Sequence, residues 1–239
     1  MSGTTPPGAA TEQQAARWVR EMFGRVAPRY DLLNHLLSFN IDRHWRTRTV
    51  RRLRSVLGRP DARVMDLCCG TGDLTLALGS GGAARVFGSD FCHPMLTAAN
   101  GKGLGGKIFE ADALQLPISD ASLDAVTAAF GFRNFVNYER GLRELLRVLK
   151  PGGTAAILEF SQPPNAAFAK VYNFYSRAIL PKIGGALSGS SDAYAYLPES
   201  VRKFPDADGL AAKMRDAGFH SVEFERMTFG IVALHLGWK

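Results

Sequence analysis

The chain has 239 residues, which predicts one large domain or a domain with a helical extension. Of these residues 46% are hydrophobic and 21% are charged, a balance that predicts a soluble globular protein and argues against a disordered or fibrous chain. No apolar run approaches the roughly 18–20 residues of a membrane-spanning helix. The first ten residues lack the basic cluster and apolar core of a secretory signal, so we expect a cytoplasmic protein. Three cysteines without CxxC spacing exclude a disulfide framework and a structural zinc site.

The formal net charge is +7, and all of the excess lies near the N-terminus. Residues 1–60 contain 11 Lys and Arg against 4 Asp and Glu, whereas residues 61–239 contain 18 of each type. Such an asymmetry favours an anionic partner, namely nucleic acid, a membrane surface or an acidic substrate. It is equally typical of a solvated helix face, and charge alone does not separate these interpretations.

Residues 1–60 are predicted to form a tail and helices that precede the core. We expect residues 1–10 to be disordered, because a capping-box pattern at Thr11 and Gln14 begins the first helix and Pro28 interrupts it. Helical spacing predicts two further helices, at about 30–38 and at about 42–57.

From residue 63 onward, strands alternate with helices, which predicts a parallel sheet covered on both faces. Strands are predicted at 63–68, 85–90, 106–113, 123–130, 154–160, 221–228 and 230–238, with helices at about 138–149 and 206–219. The last two strands are joined by a tight turn and must be antiparallel. We therefore predict an α/β, Rossmann-like fold with a mostly parallel seven-stranded sheet, a C-terminal antiparallel strand and an N-terminal helical extension.

The segment VMDLCCGTGDLTLAL (64–78) predicts a nucleotide-type site. A strand closes at Asp66, a Gly-Thr-Gly turn follows at Gly70, Thr71 and Gly72, and a helix begins near Asp73. The glycines let the backbone approach a ligand, and the helix N-terminus offers free N–H groups to a carboxylate or phosphate. The alternative is a glycine turn that is needed only for packing.

Two further acids follow the next two strands. Asp90 ends the second strand, where an acid can accept hydrogen bonds from both hydroxyls of a ribose. Asp112 follows the third strand and can accept a bond from an adenine amino group, while Ala113 keeps that loop tight. Three such positions at consecutive strand ends lie on one edge of the sheet, so we predict an adenosine-type ligand.

The turn DLCCGTG lacks the third glycine that makes room for a pyrophosphate in G-x-G-x-x-G. The D-A-x-x-L-P element after the third strand and the final strand pair are instead typical of class I S-adenosylmethionine-dependent methyltransferases.

Further motifs cover nearly the whole chain: YDLLNHLLSFNIDRHW (30–45), FGFRN (130–134), RVLKPGGTAAILEFS (147–161), LP–YAYLPESVRKFP (180–205) and GIVALHLGWK (230–239). On these motifs the chain resembles the menaquinone/ubiquinone biosynthesis C-methyltransferase family. It departs from the family at Asn40 and Asp42, where Gly and His are usual, which puts in doubt any mechanism that relies on that histidine. Leu33 stands where Met is usual, and Ala129 replaces a small hydroxyl residue, removing one polar cofactor contact worth about 1 kcal/mol.

The resemblance implies methyl transfer from S-adenosylmethionine to a ring carbon of a polyprenylated hydroquinone, without a metal. We expect Arg133 and Asn134 to bind the hydroquinone oxygens, with Arg133 stabilising a phenolate. The alternative for Arg133 is a surface salt bridge. Tyr30, His35 and Asp42 are candidate proton relays, and packing or helix capping is an equally good explanation for each of them.

The resemblance also implies a two-part organisation. Residues 1–60 would cover the active site, and residues 61–239 would form the methyltransferase domain with a substrate-side insertion at 161–200. That insertion is expected to line a groove for isoprene units with Phe168, Phe174, Tyr175, Ile179, Leu180 and Ile183, or merely to cover the sheet. The basic helices at 17–59 are expected to hold the protein at an anionic membrane surface.

Three interpretations of function stay open, and the first of them, methylation of a prenylated quinol, allows two acceptors. Demethylmenaquinol and the 2-methoxy-6-polyprenyl benzoquinol precursor of ubiquinone demand similar pockets, and the departures at Asn40 and Asp42 favour demethylmenaquinol. Methylation of RNA or another soluble acceptor is disfavoured because FGFRN replaces the N/D-P-P-Y element that clamps an exocyclic nitrogen; we expect no nucleic-acid partner. A cofactor-binding module without acceptor chemistry would not need FGFRN or the insertion.

Overall fold

The computed structural model describes residues 3–179 and 191–239, leaving aside the side chains of residues 33, 37, 177, 179 and 191–194. Seven strands form one sheet in the order β3–β2–β1–β4–β5–β7–β6. They are β1 (Arg63–Leu67), β2 (Arg85–Asp90), β3 (Ile108–Glu110), β4 (Leu123–Ala129), β5 (Leu149–Phe160), β6 (Ser221–Met227) and β7 (Val232–Trp238). β7 runs antiparallel to both of its neighbours, and the other pairs are parallel. The predicted α/β architecture is confirmed.

The helices are α1 (Glu12–Val26), α2 (Tyr30–Leu37), α3 (Ile41–Arg52), α4 (Arg54–Leu57), α5 (Asp73–Ser80), α6 (His93–Ala99), α7 (Tyr138–Val148), α8 (Ala166–Phe174), α9 (Ser191–Lys203) and α10 (Ala207–Ala217). The capping box at Thr11 and Gln14 begins α1 as predicted. Within the described part of the chain, no helix has both the length and the apolar character needed to cross a bilayer.

Successive strand residues face opposite sides of the sheet and so build two apolar layers. Val64 of β1 faces a layer formed with α3, α4 and α5, whereas its neighbour Met65 faces a layer formed with α7 and α10. Leu57 of α4 is fully buried in the first layer. The helices after residue 40 therefore share a core with the sheet, and the division into residues 1–60 and 61–239 stays a prediction.

The N-terminal segment differs from the prediction of a disordered tail. Thr4 is 3% exposed, and its backbone N–H donates to the carbonyl oxygen of Phe135 over 2.8 Å. The Thr4 hydroxyl lies 2.6 Å from the hydroxyl oxygen of Tyr196. Gly3 allows this approach, because an added Cβ would lie 2.3 Å from the Phe135 carbonyl oxygen. The prediction was wrong because it weighed composition and not these long-range contacts.

Candidate active site

The glycine loop follows β1 and begins α5 as predicted. Gly72 has φ +86° and precedes the first residue of α5, and an added Cβ there would lie 2.1 Å from Cδ1 of Leu104. Both the backbone angle and the space therefore require glycine. Gly70 has φ +55°, and its backbone N–H donates to Oδ2 of Asp90 over 2.9 Å. The loop is thus joined to the end of β2.

Asp66 lies beneath this loop and not at its surface. It is 1% exposed, and its two carboxylate oxygens accept hydrogen bonds from the hydroxyls of Thr75 and Thr127, each over 2.7 Å. Burial raises its pKa to about 6 although both hydrogen bonds lower it. This geometry lets Asp66 hold α5 and β4 together below the loop, and its contact with a cofactor stays a prediction.

Asp90 and Asp112 lie at the carboxyl ends of β2 and β3. Asp90 accepts from the backbone N–H groups of Gly70 and Cys92, each over 2.9 Å, and burial raises its pKa to about 6. The Phe91 backbone also hydrogen-bonds to this carboxylate, and two oxygens with two lone pairs each still leave acceptor capacity for a ligand hydroxyl. Asp112 is exposed, with Oδ1 accepting from the backbone N–H of Leu114, and Ala113 packs beside it against the core. The carboxylate acceptors at these two strand ends therefore fit the hydroxyl and amino donors of an adenosine-type ligand.

An ion-pair network joins α2 to the glycine loop. The Thr71 hydroxyl donates to Asp31 of α2, and Nζ of Lys102 lies 2.6 Å from carboxylate oxygens of both Asp31 and Asp73. Thr71 is 3% exposed, so its hydroxyl is engaged within the protein. This network places the N-terminal helices directly over the predicted cofactor loop.

A second ionic group lies between α2, α3 and α5. Asp42 is 3% exposed and accepts from the Ser38 hydroxyl over 2.7 Å, from Arg46, and from Nδ1 of His35 over 2.9 Å. Nη2 of Arg46 lies 3.7 Å from Oδ2 of Asp73. His35, Asp42 and Asp73 bring their ligating atoms within 4.8 Å of one another, and Arg46 supplies the positive charge between the two carboxylates.

Tyr30 connects the cofactor loop with an apolar cavity. An added Cβ at Gly70 would lie 3.8 Å from Cε1 of the Tyr30 ring, and Tyr30 also lines a cavity of about 370 Å³. Burial raises the pKa of the Tyr30 hydroxyl above its ordinary value. Asp42 lines the same cavity, whereas His35 lies behind Asp42 and outside the lining.

Arg133 is buried at the cavity wall and is not a surface residue. It is 6% exposed; Nη1 donates to Oε1 of Glu159 over 3.0 Å and to the Phe130 carbonyl oxygen. Its backbone N–H donates to Oε2 of Glu159 over 3.1 Å, and its guanidinium carbon lies 5.3 Å from the Phe160 ring centroid. Among the described residues, nothing accepts a hydrogen bond from Nη2 or Nε. Glu159 and the Phe130 carbonyl thus hold the guanidinium at Nη1, and the Nη2 and Nε donors remain for a ligand.

Asn134 is placed apart from this cavity. Its Oδ1 accepts a hydrogen bond from the Tyr196 hydroxyl over 3.0 Å, and Asn134 is not among the lining residues. Tyr196 does line the cavity, so Asn134 contacts a lining residue, and its binding of a hydroquinone oxygen stays a prediction. The FGFRN motif therefore contributes Arg133 to the cavity directly and Asn134 through Tyr196.

Three aromatic rings form one wall of the cavity. Ring centroids lie 4.9 Å apart for Phe130 and Phe160, 5.7 Å for Trp45 and Phe130, and 6.3 Å for Trp45 and Phe160. The Trp45 indole N–H donates to the Thr228 hydroxyl over 2.8 Å, which fixes the indole plane. Such a wall suits a flat, largely apolar ring.

Of the described side chains that were predicted to line the groove, Tyr175 lines the cavity, whereas Phe168 and Phe174 do not. Helix α8 lines it with Ala169, Tyr172, Asn173 and, beyond its end, Tyr175 and Ser176. Phe168 instead contacts Phe229 in a separate depression, and Phe174 is 66% exposed. The inner positions follow the helical period and leave Phe174 outside. Leu180, Ile183 and the Ile179 side chain lie outside the described residues.

Two polar residues near the end of β5 escaped the sequence analysis, and one of them lines the cavity. Glu159 is 1% exposed and anchors Arg133 at the end of β5. Ser161, two residues later, is 3% exposed, lines the cavity, and its hydroxyl has no hydrogen-bond partner among the described residues. Both lie in the motif RVLKPGGTAAILEFS, and an acid and a hydroxyl at the carboxyl end of a predicted strand were the available signal.

Comparison with known proteins agrees with this geometry. The chain is 51% identical over 221 residues to a demethylmenaquinone methyltransferase of Thermus thermophilus, covering 90% of this chain and 99% of that protein. It is 44% identical to a ubiquinone/menaquinone biosynthesis C-methyltransferase, UbiE, of Ectopseudomonas mendocina, covering 95% and 91%. A solved SAM-dependent methyltransferase of Thermotoga maritima shares the fold at 18% identity, with a TM-score of 0.66 over 92% of this chain and 99% of that chain. Residues 9–239 match the ubiE/COQ5 methyltransferase family, and the chain belongs to that family.

Proposed function

We propose that the protein methylates a ring carbon of a polyprenylated hydroquinone, with S-adenosylmethionine as the methyl donor and demethylmenaquinol as the principal acceptor. The observation that carries the proposal is the buried Arg133 guanidinium, which lines an aromatic cavity and keeps unpaired donors among the described residues. A desolvated cation suits an acceptor that becomes an oxyanion. Two relatives, one named a demethylmenaquinone methyltransferase and one named for ubiquinone/menaquinone biosynthesis, support this acceptor class.

S-adenosylmethionine, when bound, supplies an electrophilic methyl group. The chain seats this donor at the carboxyl edge of the sheet. We assign the ribose hydroxyls to Asp90 and the adenine amino group to Asp112, because both carboxylates keep unused acceptor capacity. The first turn of α5 provides backbone N–H groups for the donor's carboxylate, since the N–H groups of Gly70 and Gly72 already donate to Asp90 and to the Cys69 carbonyl oxygen.

Arg133 activates the acceptor as a fixed cation. Burial works to lower its pKa, but the negative charge of Glu159 outweighs burial and the pKa lies above its ordinary value. Arg133 therefore stays protonated, and it stabilises the phenolate that makes the ring carbon nucleophilic. Ser161 offers a second hydrogen-bonding group in the same cavity, which suits an acceptor with two ring oxygens.

The acceptor's proton leaves on the side of α2 and α3. Burial works to raise the pKa of Asp42, but hydrogen bonds from Ser38 and Arg46 outweigh it and the pKa is lowered, so Asp42 is ionised. Because Asp42 is ionised and lines the cavity, we assign it to take the proton from the acceptor hydroxyl, and the hydrogen bond from Nδ1 of His35 positions its carboxylate. Tyr30 stays protonated and acts as a hydrogen-bond donor.

Purified protein with S-adenosylmethionine and a reduced short-chain demethylmenaquinol tests this assignment, with the methylated quinone measured by mass spectrometry. Arg133→Ala should lower turnover by about 100-fold or more while calorimetric cofactor binding is retained. Arg140→Ala, which changes an exposed arginine seven residues later, should leave turnover unchanged. Asp90→Ala should weaken cofactor binding. Unchanged turnover in Arg133→Ala would remove Arg133 from the chemistry.

The benzoquinol precursor of ubiquinone is the second candidate acceptor, since a relative that is 44% identical is named for both pathways. Asn40 adopts φ +59° before α3, a conformation that suits the family's usual glycine, and Asp42 replaces the usual histidine. Because of these two departures from the family pattern, we keep demethylmenaquinol as the principal acceptor. Competition between the two reduced quinols in one reaction measures the preference directly; equal rates would contradict it.

We also propose that the protein acts in the cytoplasm, at the inner face of the membrane, because a polyprenyl chain partitions into a bilayer. The basic helices support membrane association less strongly than their sequence does, because several of their arginines are already paired. Arg46, Arg48, Arg52 and Arg59 form ion pairs with carboxylates of the protein itself.

A further inference from the structure

The exposed large hydrophobic side chains of the described residues are concentrated in three segments. Six of these side chains are between 48% and 79% exposed: Leu32, Leu36, Phe39, Val171, Phe174 and Phe229. They belong to α2 and the turn after it, to α8, and to the turn between β6 and β7. We call these six residues the apolar rim.

All three segments also contribute to the wall of the aromatic cavity. The turn after α2 lines it with Phe39, the inner face of α8 with Tyr172, and the β6–β7 turn with Thr228. Helix α8 contacts the β6–β7 turn, since the Phe168 and Phe229 ring centroids lie 5.2 Å apart, and Trp45 of α3 bonds to Thr228 of the same turn. Phe39 lines the cavity, and Val171 and Phe229 line the separate depression between α8 and that turn, so the apolar rim lies beside the proposed acceptor site.

Two members of the rim hold an unfavourable backbone conformation. Phe39 has φ +52° and Phe229 has φ +56°, and their side chains are 73% and 79% exposed. The left-handed region is rarely adopted by bulky residues. Neither ring gains burial within this chain that would offset the strain, so each turn presents an aromatic ring outward at the cost of a less favoured backbone. This combination points to a partner outside the chain.

The charges in the same segments select the kind of partner. Arg43 and Lys170 are exposed cations close in sequence to rim residues. The carboxylates of these surroundings are engaged in ion pairs: Asp31 with Lys102, Asp42 with Arg46, and Glu225 with Arg48. Aromatic and aliphatic side chains flanked by cations match the headgroup region of an anionic bilayer.

We propose that the apolar rim inserts into the boundary between headgroups and acyl chains of an anionic membrane, so that the cavity opens toward the lipid. In this orientation a prenylated acceptor enters the cavity without crossing water. The entry of the acceptor rests on the proposed function, whereas the docking itself does not. The docking surface is the carboxyl edge of the sheet, and not the length of the basic helices.

Vesicle flotation tests the docking without any enzymatic readout. We expect the protein to bind vesicles of phosphatidylcholine with 30% phosphatidylglycerol more strongly than vesicles of phosphatidylcholine alone, and less strongly at high salt. The double variant Leu36→Ser with Phe229→Gly should weaken binding about tenfold or more. Glycine suits the left-handed backbone at position 229, so thermal unfolding should show a folded protein. Binding equal to that of the unchanged protein would overturn the proposal.

A charge-matched pair separates the rim from a general electrostatic attraction. Arg43→Gln with Lys170→Gln removes two cations at the rim, whereas Arg51→Gln with Arg54→Gln removes two exposed cations beyond the first turns of α3. Only the first pair should weaken flotation. An equal loss for both pairs would assign binding to net charge and overturn docking through the rim.

Sedimentation analysis addresses a second copy of this chain as the occupant of the rim. A dimer that dissociates in the Leu36→Ser, Phe229→Gly variant would overturn the membrane assignment. Turnover with a short-chain acceptor in solution, measured in parallel, reports on the proposed function separately. Flotation can therefore fail while methyl transfer persists, and methyl transfer can fail while flotation persists.

Discussion

Replacing Glu159 by glutamine removes the carboxylate that balances a buried guanidinium. Glu159 is 1% exposed and Arg133 is 6% exposed. The carboxylate accepts from Nη1 of Arg133 over 3.0 Å, from the Arg133 backbone N–H over 3.1 Å and from the Phe160 backbone N–H over 2.8 Å. We expect Glu159→Gln to destabilise the fold and to misplace the cation.

The magnitude follows from the burial of both groups. Breaking a buried ion pair by removing one partner costs about 3–5 kcal/mol, because the other charge is left uncompensated. The glutamine amide retains one acceptor oxygen, but its NH₂ group would face backbone or guanidinium donors in place of the second oxygen. A loss of about 3–4 kcal/mol corresponds to a fall in Tm of about 6–16 °C for a domain of this size.

Urea and thermal unfolding measure the loss. Glu199→Gln is the matched control, because Glu199 pairs with Arg202 at the surface, where both side chains are more than 40% exposed, and little change is expected. Arg133→Met combined with Glu159→Gln should recover part of the stability, since the unbalanced charge is then absent. A Tm for Glu159→Gln that matches the Tm of Glu199→Gln would refute the reasoning.

Three further outcomes follow from the geometry. Gly72→Ala should lower the free energy of unfolding by about 1–3 kcal/mol, because φ is +86° and the new Cβ would meet Leu104; denaturant titration checks it, and a neutral effect would contradict it. Ser161→Ala should raise KM for the hydroquinone about tenfold without lowering Tm, since its hydroxyl is unpaired, whereas Ser176→Ala removes a hydroxyl that already donates to a carbonyl in the same cavity wall and should leave KM unchanged. Burial lowers the pKa of His235 to about 4, so the unfolded chain binds the extra proton first and stability should fall by up to about 3 kcal/mol as pH falls from about 6.5 to about 4; a His235→Gln protein that loses as much over that range would contradict this.

The elements of the sheet were predictable because each carries a local pattern. β1 and β2 appear as short apolar runs that close in Asp66 and Asp90, and the glycine turn marks the start of α5. These signals arise within about ten residues of sequence. The antiparallel final pair then follows from the tight turn between its strands, whereas the strand order was not predicted.

The roles of individual polar residues depended on partners far away in the chain. Asp66 is engaged by Thr127, 61 positions later, and Asn134 by Tyr196, 62 positions later. No local pattern reveals that such a side chain is already satisfied. Arg133 was identified, but its anchor Glu159 was not, since the pair forms only when β4 and β5 lie side by side.

The position of β7 has a consequence for how the chain reaches its native state. This strand is the last along the sequence, and yet it lies between β5 and β6 and pairs with both. During synthesis, β5 therefore exposes an open edge of backbone donors and acceptors until residues 232–238 leave the ribosome. The nascent protein passes through a stage in which aggregation competes with folding, and a chaperone that shields the β5 edge should raise the yield of native molecules.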